Sequence, residues 1–126
     1  MFDILITSGL VQVTFGVLLG WPLTGLYSGM NRVGPLVNAK RVLQCHLDNI
    51  FMGILQMLIG TVFSTLPEIA GWLLLVGSWS NPQLFLYQAT TKGNGRTLPG
   101  ISALAFVSFT IMTVAYLWIV IAWLGR

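Results

Sequence analysis

The sequence predicts an all-α fold, an integral membrane four-helix bundle formed by residues 1–126 as a single domain, and three observations support that class. Of the 126 residues, 56% are hydrophobic and only 7% are charged, whereas a soluble domain carries charge on about a quarter of its residues. The mean hydropathy is +0.84. Apolar runs with few or no charges recur at the length of about 20 residues that a helix needs to cross a hydrocarbon core of about 30 Å.

The first and second predicted spans, residues 4–27 and 43–65, each present small and polar residues on one helical face. The intervals are four residues in the first span and alternately three and four in the second, and both spacings keep residues on one side of a helix. In the first span these residues are Ser8, Gln12, Gly16 and Gly20. In the second span they are His46, Asn49, Gly53, Gln56 and Gly60.

The third and fourth predicted spans are residues 68–90 and 101–124. The third follows Pro67 and starts with Glu68, a pair that suits the beginning of a helix. Its small and polar residues are Gly71, Ser78, Asn81 and Gln88. Pro82 predicts a kink, because its ring cannot accommodate the carbonyl of Ser78. Small and polar faces are where helices pack inside a bilayer, so the first three spans are expected to meet there.

The basic residues predict an orientation in the membrane. Five of the six Lys and Arg residues lie in or beside the predicted loops 28–42 and 91–100, namely Arg32, Lys40, Arg41, Lys92 and Arg96, with Arg126 at the other end. Lys and Arg concentrate in cytoplasmic loops. We therefore expect a protein of the bacterial inner membrane, with both loops in the cytosol and both termini outside. Charged residues near the ends of the spans, such as Asp48, are expected to be interfacial anchors.

The composition also argues against several classes of function. Nothing resembles the basic stripe of a nucleic-acid-binding protein, so the expected partners are the lipid bilayer, further copies of the chain and a small lipophilic substrate. One cysteine excludes a disulfide framework, and one His, one Cys and three scattered acids do not form a zinc site. A small multidrug transporter needs a membrane-embedded carboxylate, and no Asp or Glu lies in the middle of a span.

His46 is the candidate metal ligand. It lies about one turn inside the second span, where an unpaired imidazole is costly, so it is either a hydrogen-bonded structural residue or a ligand. One imidazole suffices as the only protein ligand when the cofactor supplies the others, as haem does with four porphyrin nitrogens. If His46 binds a metal, the sequence therefore favours a five-coordinate haem with one open face.

Four stretches resemble a family of small four-helix membrane haem proteins that includes styrene oxide isomerase and hydroxylaminobenzene mutase. "CHLDNIFMGILQMLIG" (45–60) is similar to the start of the family's second helix, and "GSWSNPQLF" (77–85) is similar to a stretch of the third. The opening "GLVQVTFGVLLGWPLTGLY" and the closing "VSFTIMTVAYLWIVIAWLG" follow the first and last helices in pattern. The distinctive residues are His46, Gly53, Trp79 and Asn81.

The resemblance implies a cofactor, an assembly and a reaction. It makes His46 the axial ligand of a haem b held at the interfaces of a homotrimer, with ferric iron acting as a Lewis acid in a redox-neutral isomerisation. The substrate would be a small lipophilic epoxide or an N-hydroxyarylamine. The residues expected beside the cofactor are Met52, Gly53, Trp79 and Phe85, and those expected to act on the substrate are Asn49, Asn81 and Tyr87.

Two positions depart from the family and keep an alternative open. Met52 stands where the family has Asn, and Phe85 stands where it has Tyr, with Tyr87 two residues further on. Met52 lies about 120° round the helix from His46, so it could reach the same iron only from a neighbouring protomer. A methionine in that place would favour a non-catalytic haem protein for sensing or electron transfer.

Overall fold

The computed structural model describes residues 1–126 and confirms the all-α prediction, because its regular elements are all helices. These are α1 (Phe2–Leu18), α2 (Gly20–Tyr27), α3 (Ala39–Val62), α4 (Glu68–Gln88) and α5 (Ile101–Leu124). α1 and α2 together form the first predicted span and are separated only at Leu19. Pro22 has no N–H for the carbonyl of Leu18, which accounts for a break at this point.

Three of the four predicted spans form helical segments that are long and apolar enough to cross a membrane. They are Phe2–Tyr27, Ala39–Val62 and Ile101–Leu124. α4 forms over the third predicted span, but its middle contains the polar sequence "SWSNPQ" (78–83), which lowers its hydropathy. The crossing of the membrane by α4 therefore stays a prediction.

The start of α3 differs from the predicted boundary at residue 43. The helix begins at Ala39 because Asn38 is its N-cap, with a side-chain oxygen that accepts the backbone N–H of Arg41 at 3.3 Å. Asn is among the preferred N-cap residues. Lys40 and Arg41 consequently belong to the first turn of α3, which a boundary drawn at the apolar run places in the loop.

Helices neighbour one another in chain order. α1 and α2 pack on α3, α3 packs on α4, and the backbone of α5 approaches α4 alone. The two longer connections meet at one end, where Val37 N–H donates to Ala89 O at 2.9 Å and Asn38 Nδ2 donates to Gly93 O at 3.0 Å. Five of the six basic residues therefore lie at the same end of the bundle, whereas the side of the membrane that they face stays a prediction.

α1 and α3 approach most closely where Gly9 faces Gly53. A Cβ on Gly53 would lie 2.5 Å from Gly9 O and 2.6 Å from Val13 Cγ2. Gly60 makes a similar approach further along, where a Cβ would lie 2.9 Å from Ile6 Cγ1. Small residues allow two backbones to come together in this way, and packing of this kind drives helix association in lipid.

Four amide side chains link α1, α3 and α4, and we call them the amide network: the buried Gln12, Asn49 and Gln56, and the half-buried Gln83. Gln12 Nε2 donates to Asn49 Oδ1 at 3.1 Å, and Gln56 Nε2 donates to Gln12 Oε1 at 2.5 Å. Gln83 Nε2 also donates to Asn49 Oδ1, at 3.0 Å. The stripes predicted on the first two spans are thus confirmed as facing inward, since Gln12, Asn49 and Gln56 have no exposed surface.

Pro82 supplies the network with a backbone acceptor. α4 continues through the proline, which is fully buried, but Pro82 has no N–H to donate to the carbonyl of Ser78 one turn earlier. Gln12 Nε2 donates to that carbonyl at 2.6 Å. A helix carbonyl left unpaired by proline must find another partner inside a membrane protein, and the side chain of Gln12 is that partner.

The glycine contact generates the first prediction. Gly53→Ala should reduce the free energy of unfolding in detergent by about 1–3 kcal/mol, because overpacking forces the two backbones apart. The matched control is Gly93→Ala in the exposed loop, where the nearest atom to an added Cβ is Thr91 Oγ1 at 3.9 Å. Equal stability of Gly53→Ala and wild type in circular-dichroism unfolding curves would show that the helices are less closely packed.

The amide network generates the second prediction, a double-mutant cycle. Gln12→Leu leaves Ser78 O and Gln56 Nε2 unpaired and should cost about 1–3 kcal/mol of stability. In a Pro82→Ala background the cost should fall by about 1 kcal/mol, because the substituted alanine offers a backbone N–H to the same carbonyl. Thr14→Val on the exposed face of α1 is the control. Equal costs of Gln12→Leu in both backgrounds would contradict the coupling.

Candidate functional site

His46 lies in a groove between α3 and the junction of α1 with α2. Its Nδ1 is 2.5 Å from the backbone oxygen of Gly16. Gly16 belongs to the last turn of α1, where carbonyl groups have no partner within their own helix. Because Gly16 has no side chain, α3 comes close enough for the contact, and a Cβ there would lie 3.1 Å from His46 O and 2.9 Å from Ile50 Cγ1.

The contact with Gly16 determines which ring nitrogen of His46 holds the proton. A backbone carbonyl only accepts hydrogen bonds, so Nδ1 is the donor and, in the neutral ring, Nε2 has the free lone pair. Nε2 makes no hydrogen bond within the chain and is not enclosed by it. Metal-binding histidines are oriented in the same way, by donating the other N–H to a carbonyl or carboxylate.

The groove around His46 is open and apolar. Gly20 lies beside the ring, and a Cβ there would be 3.6 Å from His46 Cε1. The residues that follow Gly16, Gly20 and His46 in the sequence are apolar and exposed: Val17, Trp21 and Leu47. Trp21 is 78% exposed, so this surface is free in the single chain. The surface next to His46 is therefore apolar and exposed in the single chain.

Asn49 lies one turn from His46 on α3, but its amide points into the bundle. Its Oδ1 accepts from Gln12 and Gln83, and its Nδ2 donates to Cys45 O at 2.9 Å. The side chain has no exposed surface. In this structure Asn49 links α1, α3 and α4. Its amide oxygen and nitrogen are both hydrogen-bonded within the bundle, so neither is free for the predicted action on a substrate.

Gly53 and Met52 lie on different faces of α3. Gly53 forms the close contact with α1 described above. Met52 packs from the other side against an apolar cluster that α1, α4 and α5 share, whose buried members include Leu5, Leu74 and Met112. Met52 thus points into its own bundle and away from the groove of His46.

The predicted site residues of α4 occupy three further places. Trp79 faces α1, where its Nε1 donates to Ser8 Oγ at 2.8 Å and its ring lies 6.2 Å from that of Phe15. Tyr87 donates through its hydroxyl to Pro99 O at 3.0 Å. Asn81 and Phe85 line a cavity on the side of α3 opposite His46. Within one chain, therefore, the predicted residues do not converge on His46.

The cavity lined by Asn81 and Phe85 is a second candidate site, which the sequence analysis missed. It measures about 550 Å³ and lies between α3, α4 and α5 at the basic end of the bundle. Its polar lining consists of Arg41, Asp48, Asn81, Gln88 and Arg96. The sequence does contain a pattern that indicates this cavity. Arg41 and Asp48 are seven residues apart, as are Asn81 and Gln88, and this spacing places each pair on one helical face.

Comparisons of the chain with known proteins give no match: no family model, no curated protein and no solved structure is similar to it. The resemblance described above consequently rests on the four stretches of sequence alone, and haem binding, isomerisation and trimer formation stay predictions.

The geometry of His46 generates the third prediction. In protein labelled with ¹⁵N-histidine and without added haem, the neutral ring should have its proton on Nδ1, because Gly16 O accepts from that nitrogen. Since His46 is the only histidine, the ¹⁵N spectrum needs no assignment. Free histidine under the same conditions is the reference, and a spectrum in which Nε2 holds the proton would contradict the structure.

Proposed function

We propose that the protein binds haem b through His46 Nε2 and is a redox-neutral isomerase of a small lipophilic epoxide or N-hydroxyarylamine. The observation that carries the proposal is the hydrogen bond of His46 Nδ1 to Gly16 O, which leaves Nε2 free at an open apolar groove. A structural histidine with both nitrogens bonded to protein would not have this free lone pair. The sequence resemblance supplies the reaction class.

The donor set of the groove fits haem better than a bare metal ion. No group of three or more His, Cys, Asp or Glu residues is placed to hold a metal ion. One imidazole is enough for haem, whose porphyrin fills the equatorial positions. The exposed residues that follow Gly16, Gly20 and His46 in the sequence, Val17, Trp21 and Leu47, are apolar, which suits the faces of a macrocycle, and Gly20 adds no side chain beside the imidazole.

The residues of the chain would orient the cofactor and exclude water, and the cofactor would supply the reactivity. Gly16 O holds the imidazole plane and leaves Nε2 as the nitrogen available to a ligand. The amide network fixes α1 against α3 and thereby fixes the position of Gly16 relative to His46. A bound ferric haem would act as a Lewis acid on the substrate oxygen, which needs no net electron transfer.

An assembly of several chains would complete the site. In one chain His46 is only partly buried, and Trp21 of α2 is largely exposed. Tyr87 lies on another face of the bundle, so it would approach the His46 site only from a neighbouring protomer, whereas Asn81 lines the cavity between α3, α4 and α5 of its own chain. We therefore propose a homo-oligomer with the groove at its interface, and the family resemblance makes the trimer the preferred form.

The alternative of a non-catalytic haem protein has less support. It needs Met52 of a neighbouring chain as a sixth iron ligand, whereas Met52 packs against the apolar cluster of its own bundle. To reach another chain, the side chain would have to leave that cluster and expose its apolar surface.

The fourth prediction concerns haem binding. Protein purified in detergent, supplied with haemin and separated from unbound haemin by gel filtration should show the Soret band of a five-coordinate ferric haem. His46→Gly should lose the band, and millimolar imidazole should restore it by replacing the missing ring. Met52→Leu is the control, and its spectrum should equal that of wild type. A wild-type sample without a Soret band, or a band unchanged in His46→Gly, would overturn the proposal.

The same samples separate the two haem functions. Conversion of an aryl epoxide to its aldehyde by wild type, and its loss in His46→Gly, would support the isomerase. A six-coordinate, low-spin spectrum that changes in Met52→Leu would instead support the sensing or electron-transfer alternative.

A further inference from the structure

We infer that the cavity between α3, α4 and α5 binds an amphiphilic anion, with its phosphate or carboxylate between Arg41 and Arg96. The volume of about 550 Å³ lies within the range of about 300–1,000 Å³ that is usual for small-molecule sites. Asp48 lies two residues from His46, about 200° round α3, so the cavity and the groove open on opposite faces. This inference is therefore independent of haem binding.

The cavity has a basic mouth and apolar walls. Arg41 in the first turn of α3, Gln88 at the end of α4 and Arg96 in the following loop lie at the basic end. The apolar walls come from α4 and α5: Leu84, Phe85, Ile101, Ala105 and Phe109. Cationic mouths above apolar walls between membrane helices are the sites where anionic headgroups bind.

The two guanidinium groups are available to an anion. Arg41 donates to Gln44 Oε1 at 2.9 Å and to Asn94 O at 2.5 Å, which are both neutral acceptors, and lies over the ring of Phe85 at 5.9 Å. These contacts orient the side chain without neutralising it. Arg96 is fixed through its backbone N–H, which donates to Asn94 Oδ1 at 2.9 Å, and its guanidinium makes no hydrogen bond within the chain. Guanidinium groups bind phosphate and carboxylate with paired hydrogen bonds.

The inner end of the cavity is polar again and defines the other end of the ligand. Asp48 lies seven residues beyond Arg41 on α3, which places it about 10 Å deeper. Its carboxylate makes no hydrogen bond within the chain, and Asn81 uses only its oxygen, which accepts from Ser108 Oγ at 3.2 Å. A hydroxyl group can donate to Asp48 and accept from Asn81 Nδ2. The ligand that matches all three regions is an anion with an apolar middle and a hydroxyl at its far end.

The experiment measures binding of radiolabelled decyl phosphate and 10-hydroxydecyl phosphate to the full chain in phosphatidylcholine nanodiscs, with empty nanodiscs as the blank. Both probes should bind, the hydroxylated one more tightly. The double variant Arg41→Gln, Arg96→Gln should weaken binding at least tenfold. The matched control, Arg32→Gln, Lys92→Gln, removes the same charge from exposed positions at the same end and should change binding less than twofold.

Two more variants guard against a folding defect. Arg96→Gln alone removes no hydrogen bond within the chain and should still weaken binding several-fold, and Ala105→Phe should block the cavity while all charges remain. Asp48→Leu should abolish the preference for the hydroxylated probe.

Equal weakening by the two double variants would mean a general surface charge effect, and binding no greater than in empty nanodiscs would mean no site. Either result overturns the inference.

A competition arm identifies the source of the anion. If phosphatidylglycerol in the nanodiscs displaces decyl phosphate, the two arginines bind the headgroup of a bilayer lipid. If only the water-soluble amphiphiles compete, the ligand is a small molecule that enters from the basic end. Either outcome supports the site, and inorganic phosphate alone, which lacks the apolar part, should compete with neither probe.

Discussion

The close contact of α1 with α3 is the constraint on which the rest of the structure depends. Gly9 and Gly53 allow the two backbones to touch, and only at that separation can Gln12 reach Asn49 and Gln56. The same approach brings Gly16 O to His46 Nδ1. Because lipid offers no hydrophobic driving force between helices, this packing and the amide hydrogen bonds fix the pair. A looser pair of helices would lose both the amide network and the orientation of the His46 ring.

Two backbone carbonyl groups that lack their usual helix partners accept hydrogen bonds from side chains of other helices. Because Pro82 has no N–H, the carbonyl of Ser78 accepts from Gln12. The carbonyl of Gly16, in the last turn of α1, accepts from His46. Water is not available inside the bilayer to hydrogen-bond such groups, and an unpaired one costs several kcal/mol. Each freed carbonyl therefore selects one side chain on another helix and defines the register of the two helices.

α3 presents two candidate binding sites on opposite faces. One face presents His46 to an apolar groove that is open at the surface, and the other presents Arg41 and Asp48 to a cavity with charged ends. The two faces cannot serve one ligand in a single chain, because about 200° of helix rotation lies between His46 and Asp48. The proposed haem and the inferred anion would therefore occupy separate places on the two faces of α3.

The sequence by itself determined the helical class, the approximate ends of the helices and the inward face of α3, because these follow from apolar length and from a period of 3.6 residues. It also separated Met52 from the face of His46. Only the tertiary structure decided that Asn49 is saturated by Gln12 and Gln83, that Trp79 binds Ser8, and that Arg96 joins Arg41 at one cavity. These partners are far apart in the chain, and local periodicity says which face a side chain is on without saying which helix covers that face.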